Sequence, residues 1–136
     1  MSSRSRSREI ALQILYQMEL NQQSPEQTLT EYHHHFRQET TDDTTFDFAA
    51  ELVRRCCTER APIDAAIAAA SVHWKLERMG KLDVSVIRLA TTELLFYPET
   101  PKNVALNEAI ELARRFCSAE APPFINGVLD HVARNC

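Results

Sequence analysis

The chain is 136 residues long, with 44% apolar and 25% charged residues, which is the size and composition of one soluble globular domain. Its 15 Lys and Arg residues are outnumbered by 19 Asp and Glu residues, for a net charge of −4. This balance excludes a uniformly basic nucleic-acid coat, so an anionic partner must be bound by a local patch. No apolar run approaches the roughly 20 residues that span a bilayer, and the first eight residues lack the apolar segment of a secretory signal.

Residue usage predicts an all-α fold. The chain contains only 2 glycines, β-branched alternation is scarce, and apolar residues recur at helical spacing. Residues 1–7 are expected to form a flexible, arginine-rich segment ahead of the first helix. We expect about seven helices, near residues 6–22, 25–38, 45–60, 62–72, 82–97, 103–118 and 123–135.

The first predicted helix has two apolar faces. Its core stripe consists of Ile10, Ala11, Ile14, Leu15 and Met18. Leu12 and Tyr16 lie on the opposite side of the helical wheel, in line with Arg8. Either this helix is sandwiched inside the protein, or its second face meets a partner.

Helix start signals recur along the chain. Ser24 can cap the second helix, with Pro25 in the first helical position and Gln27 completing a capping box. The run His33, His34 and His35 predicts an exposed polar turn or helix end, because consecutive helical residues point in different directions and cannot converge on one metal.

The segment 82–97 is apolar nearly all round, as expected of a central helix. Its polar strip consists of Ser85, Arg88 and Thr92, and Asp83 is placed to cap its N-terminus. Glu93 falls within the apolar face and must be hydrogen-bonded, paired or neutralised. No second titratable group accompanies Glu93 at helical spacing, so a structural carboxylate is favoured over a general acid.

No pattern in the chain indicates catalysis. There is no Gly-rich phosphate loop, no H-x-x-x-H pair and no G-x-S-x-G turn. Cys56, Cys57, Cys117 and Cys136 form no C-x-x-C pair, which argues against a zinc site or a disulfide framework and favours reduced, mostly buried thiols in a cytoplasmic protein. We therefore expect a protein that is not an enzyme and uses no cofactor and no metal.

Positive charge is concentrated at the start of the chain. Arg4, Arg6 and Arg8 alternate with serines, and arginines are the usual contacts to nucleic-acid phosphates. A basic but merely solvated terminus has the same composition. Composition alone leaves both interpretations open.

Several segments together resemble the bacterial transcription antitermination factor NusB family. The most telling are "VALNEAIELARRF", "FINGVLD" and "DVSVIRLATTELLF", and "SREIALQILYQME" resembles the family's first helix. The resemblance implies an all-helical fold of two packed subdomains, with 1–136 a single NusB-like RNA-binding domain. It also implies binding to the boxA element of nascent RNA together with the ribosomal protein NusE. That complex promotes read-through by RNA polymerase in ribosomal RNA operons.

The resemblance also implies which residues bind each partner. RNA contacts fall on Arg4, Arg6, Arg8, Glu9, Glu120, Phe124 and Asn126. Partner contacts fall on Leu12, Tyr16 and Asp83. Other antitermination factors and RNA polymerase would be reached indirectly, and no membrane is involved. The chain departs from the family in its sparser arginines, in Thr92 where a tyrosine is common, and in the "APP" before Phe124.

Two other interpretations remain open. A NusB-like domain also occurs fused to RNA cytosine methyltransferases, an interpretation that requires this chain to be a fragment. The second is a helical protein-interaction module, such as a homodimer, without RNA recognition.

Overall fold

The computed structural model describes residues 2–39, 43–71 and 79–136. These residues form seven α-helices and no strand, so the predicted all-α class and helix order are confirmed. The predicted end of the fourth helix, residue 72, lies outside the described residues. The helices are α1 (Ser3–Asn21), α2 (Pro25–Glu39), α3 (Asp43–Thr58), α4 (Arg60–Ala70), α5 (Lys81–Phe96), α6 (Lys102–Phe116) and α7 (Ala121–Arg134).

The helices belong to two compact units, Met1–Thr58 and Glu59–Cys136. In the first unit, α1 packs most extensively on α3, and α2 contacts both. Ile10 and Ile14 on α1 are buried, as are Leu52 and Val53 on α3. These side chains have the spacing that puts apolar residues on one face of a helix. Of the predicted core stripe of α1, Ile10, Ala11, Ile14 and Leu15 are buried, whereas Met18 is half-buried.

The first helix begins earlier than expected. Ser2 caps α1 by accepting a hydrogen bond from the backbone N–H of Ser5 at 3.1 Å. Ser7 is buried, and its hydroxyl donates to the backbone carbonyl of Thr45 on α3 at 2.7 Å. The expected boundary between a segment 1–7 and the first helix is therefore wrong, because capping by Ser2 and the contact to α3 extend α1 to Ser3.

The second helix starts as predicted. Pro25 is its first residue, and the Ser24 hydroxyl accepts the N–H of Gln27 at 3.2 Å. The Gln27 side chain donates to Glu31 at 3.4 Å rather than completing a capping box. His33 lies within α2 and stacks on Phe46 with ring centroids 4.4 Å apart. Of the two predicted alternatives, the exposed turn is wrong, because the histidine run lies within the last two turns of α2. His34 and His35 are exposed there, whereas His33 is half-buried against Phe46.

In the second unit, α5 is contacted by α4, α6 and α7. This surrounding explains why α5 is apolar nearly all round and confirms its central position. Its polar strip is not solvated throughout: Ser85 and Thr92 are buried. Their hydroxyls donate to the backbone carbonyls of Lys81 and Arg88, four residues earlier, so burial leaves neither group unsatisfied.

Asp83 does not cap α5. The helix begins at Lys81 with Gly80 in the capping position, which places Asp83 in the first turn. The expected capping role is wrong because the capping position lies three residues before Asp83, at Gly80. A carboxylate in the first turn still interacts favourably with the positive end of the helix dipole.

Candidate nucleic-acid interface

Arg4 is the most accessible of the three arginines at the start of α1. Its side chain crosses to α3, where the guanidinium carbon lies 3.6 Å from the centroid of the Phe48 ring. The residue as a whole remains exposed, and Phe48 is half-buried. The pair lines a groove of about 400 Å³ whose other side chains include Asp47 and Glu51. A cation held over an aromatic face in this way is a cation–π contact.

Arg6 points to a different part of the surface. Its Nη1 lies 3.2 Å from the Glu9 carboxylate, one turn along the same helix. Successive helical residues are rotated by about 100°, so residues two positions apart lie on nearly opposite sides. Arg4 and Arg6 therefore do not share one face of α1, although their alternation in the sequence would place them together in an extended segment.

Arg8 and Glu9 are buried. Arg8 is 5% exposed and Glu9 is 7% exposed, and both make polar contacts within the chain. The proposed RNA contacts of these two residues remain predictions. Their burial leaves Arg4 and Arg6 as the accessible charges of the predicted arginine set.

The other predicted RNA contacts lie in the second unit, around the start of α7. Glu120 is exposed and occupies the position just before the helix, where it makes no side-chain capping bond. Phe124 is half-buried, whereas Asn126 is exposed and lines a groove of about 590 Å³ together with Asn107 and Arg114 of α6. The roles of Glu120, Phe124 and Asn126 remain predictions.

The predicted partner residues differ in accessibility. Leu12 is 1% exposed. At this residue α1 is therefore sandwiched inside the protein, and the prediction that Leu12 contacts a partner from an exposed face is wrong. Tyr16 is half-buried and keeps part of its side chain at the surface. Asp83 is also half-buried, in the first turn of α5. The partner roles of Tyr16 and Asp83 remain predictions.

Asp83 has a neighbour that the sequence did not reveal. The Cys117 thiol, just after α6, hydrogen-bonds the Asp83 carboxylate. Burial, followed by this hydrogen bond and the carboxylate's charge, raises the pKa of Cys117 to about 12. Cys117 is therefore a neutral thiol at neutral pH, which is the form that suits a hydrogen-bond donor rather than a nucleophile.

The cysteines are all free. Only Cys56 is buried; Cys57 and Cys117 are half-buried and Cys136 is exposed. The expectation of mostly buried thiols is thus wrong. In the described ranges, no three His, Cys, Asp or Glu side chains are grouped in a way that could hold a metal. Within those same ranges, no helix is both long enough and apolar enough to cross a membrane.

Phe48 is the functional candidate that sequence reasoning missed. Phe46 and Phe48 are two residues apart on α3, so they cannot both point to the same core. Phe46 is buried and Phe48 is not. The segment "TTFDFAAE" therefore contains one more aromatic residue than a single helix face can bury, which points to an exposed phenylalanine.

Comparison with known proteins establishes the family. The NusB family model matches residues 5–134. The transcription antitermination protein NusB of Geotalea uraniireducens is 40% identical, over 98% of this chain and 95% of that protein. The NusB of Sorangium cellulosum is also 40% identical, over 99% of this chain and 94% of that protein. The chain belongs to the NusB family, which confirms the resemblance seen in its sequence.

Solved structures agree with this assignment. The structure of T. maritima NusB is 33% identical with a TM-score of 0.88, over 98% of this chain and 92% of that one. A crystal structure of the antitermination factors NusB and NusE in complex with double-stranded RNA matches with a TM-score of 0.88 at 22% identity, over 100% of this chain and 99% of that one. The second match supports the fold alone.

Proposed function

We propose that this chain is a transcription antitermination factor that binds boxA RNA together with the ribosomal protein NusE. In this role it promotes read-through by RNA polymerase in ribosomal RNA operons, in the cytoplasm. One observation carries the proposal: the NusB family model covers residues 5–134, and relatives about 40% identical over nearly the whole chain are transcription antitermination proteins.

The distribution of charge supports an RNA-binding role. The net charge is −4, so nonspecific attraction to RNA along the whole surface is weak. Arg4 and Arg6 nevertheless stand at the accessible start of α1. A small basic site on an acidic protein favours binding that depends on position and sequence rather than on total charge.

The same acidity suits the protein partner. Ribosomal proteins are basic, and complementary charge between two surfaces speeds association and suppresses wrong partners. Tyr16 and Asp83 supply an aromatic and an acidic side chain with partial exposure. Other antitermination factors and RNA polymerase would be engaged through the assembled complex and not by this chain alone.

The proposal is tested by titrating boxA RNA and a scrambled RNA of equal length, with and without NusE. We expect weak binding by the chain alone and tight binding of boxA once NusE is added. If one RNA and NusE bind cooperatively, each strengthens the binding of the other by the same factor, typically about 5- to 150-fold.

A matched control is provided by Arg134→Ala. The Arg134 side chain is 71% exposed, lies on α7 and pairs with Asp130 at 3.4 Å. Its loss therefore changes the net charge without touching the proposed contacts. Its binding should equal that of the wild type. Equal affinity for boxA and scrambled RNA in the presence of NusE would overturn the proposed function.

A further inference from the structure

We propose that Arg4 and Phe48 form a stacking platform for one unpaired nucleobase, so that Arg4 recognises the RNA through a base rather than through a phosphate. This inference rests on the proposed function, since it concerns how the same RNA is held. It adds Phe48 to the site as the residue that positions Arg4.

The geometry of the pair fixes the orientation of the guanidinium. The guanidinium carbon is 3.6 Å from the Phe48 ring centroid. An edge-on guanidinium, with C–N bonds of about 1.33 Å, would bring a nitrogen within about 3 Å of the ring plane, which is closer than van der Waals contact allows. The two planes are therefore roughly parallel. Phe48 covers one face, and because Arg4 is exposed the other face is open to a flat ligand.

The neighbouring charges disfavour a phosphate at this position. Asp47 and Glu51 lie on α3 and line the same groove as Arg4 and Phe48, and both are exposed. Two carboxylates beside a single guanidinium repel a phosphate group. The same carboxylates are acceptors for the amino and imino groups on the edges of nucleobases. Unpaired RNA bases stack on aromatic side chains and on arginine planes, so the groove has the chemistry of a base site.

The platform is held in place before any ligand binds. Ser3 and Thr45 share a hydrogen bond between their hydroxyls at 2.8 Å, and the Ser7 hydroxyl donates to the Thr45 carbonyl at 2.7 Å. These contacts fix the first turns of α1, which carry Arg4, to α3, which carries Phe48. A stacking surface that is already ordered loses little entropy when a base adds to it.

The test uses the full chain with NusE and a set of boxA RNAs in which one nucleotide at a time is replaced by an abasic site. An abasic site removes the base and keeps the phosphate. On the wild type, we expect one abasic position to lower affinity by about 5-fold or more, the range of one base stack. Arg4→Lys keeps the charge and loses the plane, so it should bind intact boxA about 5-fold or more weakly and no longer respond to that abasic position.

Three further variants separate stacking from folding and from charge. Phe48→Leu should weaken boxA binding in the same way as Arg4→Lys, and Phe48→Tyr, which keeps the ring, should restore it. Arg134→Lys is the matched control, because it makes the same change at an arginine of α7 that pairs with Asp130 and is not among the proposed RNA contacts; it should bind like the wild type. Circular dichroism of Phe48→Leu checks its helix content. If Phe48→Leu is misfolded, Arg4→Lys still tests the platform.

The outcomes distinguish the two proposals. If the wild type with NusE fails to prefer boxA over scrambled RNA, the proposed function fails. If the wild type prefers boxA but Arg4→Lys binds it equally well with an unchanged salt dependence, Arg4 contacts a phosphate and the platform is overturned. Retained affinity in a folded Phe48→Leu overturns it as well.

Discussion

Arg88 on α5 holds Asp64 on α4 through two parallel hydrogen bonds, from Nε to Oδ1 at 2.9 Å and from Nη2 to Oδ2 at 3.0 Å. The Arg88 side chain is 14% exposed and that of Asp64 is 29% exposed. A two-pronged pair of this kind combines charge with fixed geometry. It accounts for the one charged residue in the polar strip of the central helix.

We expect Asp64→Ala to lower the free energy of unfolding by about 1–3 kcal/mol, because it removes the acceptor of two hydrogen bonds from a largely buried guanidinium. Urea denaturation measures the change. Glu26→Ala is the control: Glu26 and Arg54 have the same two-pronged geometry, at 3.0 and 3.1 Å, but are 68% and 55% exposed. Solvent screens such a pair, so its removal should leave the midpoint nearly unchanged. Equal losses in both variants would contradict this account.

A second prediction concerns the start of α1. Deleting residues 1–7 should weaken RNA binding and also destabilise the first unit, because it removes the cap by Ser2 and the buried hydrogen bond from Ser7 to Thr45, each worth about 1 kcal/mol. The double variant Arg4→Ala and Arg6→Ala should lose RNA affinity with a smaller drop in the unfolding midpoint than the deletion, because it keeps both of these hydrogen bonds. Thermal unfolding and RNA titration of both variants measure the two effects. A deletion as stable as the wild type would show that α1 does not depend on its first two turns.

A third prediction separates partner contacts from core packing. Tyr16→Asp and Asp83→Lys should impair binding to NusE while helix content persists, because both side chains are only half-buried. Leu12→Ala should instead lower the free energy of unfolding by about 2–5 kcal/mol, the usual cost of a large-to-small change in a core. Calorimetric titration with NusE measures partner binding, and circular dichroism measures helix content. Together they distinguish a lost partner contact from lost core packing. Collapse of helix content in Tyr16→Asp would move Tyr16 from the partner surface into the core.

A fourth prediction concerns alkaline pH. Burial and Asp83 raise the pKa of Cys117 from an ordinary 9.0 to about 12, so the folded chain holds the thiol proton more tightly than the unfolded chain. The stability that this group contributes is therefore complete below pH 9 and is lost as pH rises from about 9 towards 12. Wild type should lose stability with pH more steeply than Cys117→Ser over this range. If the curves of unfolding free energy against pH are parallel for wild type and Cys117→Ser, the raised pKa of Cys117 is contradicted.

Asp83 gives a second measurement of the same effect. In Asp83→Asn, the Cys117 thiol loses a charged acceptor, and its pKa should fall while remaining above the ordinary value because burial persists. Alkylation of Cys117 at a fixed alkaline pH should then be faster than in the wild type, since the thiolate is the reacting form. Cys136 is exposed and far along the chain from Asp83, so its alkylation rate should be the same in both proteins.

The number, order and core faces of the helices could be predicted from the sequence because apolar spacing and prolines are local signals. The first turns could not be placed as well. Residues such as Ser3 and Lys81 are exposed and polar, so they carry no apolar period even though they are helical. For the same reason the sequence pattern predicts the start of α5 too late and places Asp83 at its cap.

The candidate site was predictable in part. The arginines at the start of the chain stand out by composition, and the family resemblance assigns them to RNA. A helical wheel shows that Leu12 lies on a second face, but it does not show what covers that face. The contact of Arg4 with Phe48 joins residues 44 positions apart, and a single sequence carries no record of such a pair.

The helical start of the chain has a consequence for how its positive charges act. In an extended segment, the side chains of Arg4 and Arg6 would lie on the same side of the backbone and bind one stretch of RNA together. On α1 they point to opposite sides, one against Phe48 and one against Glu9. Their contributions to affinity should therefore be additive, with the double substitution equal to the sum of the single ones. We therefore expect Arg4 and Arg6 to act as two independent contacts rather than as one basic tail.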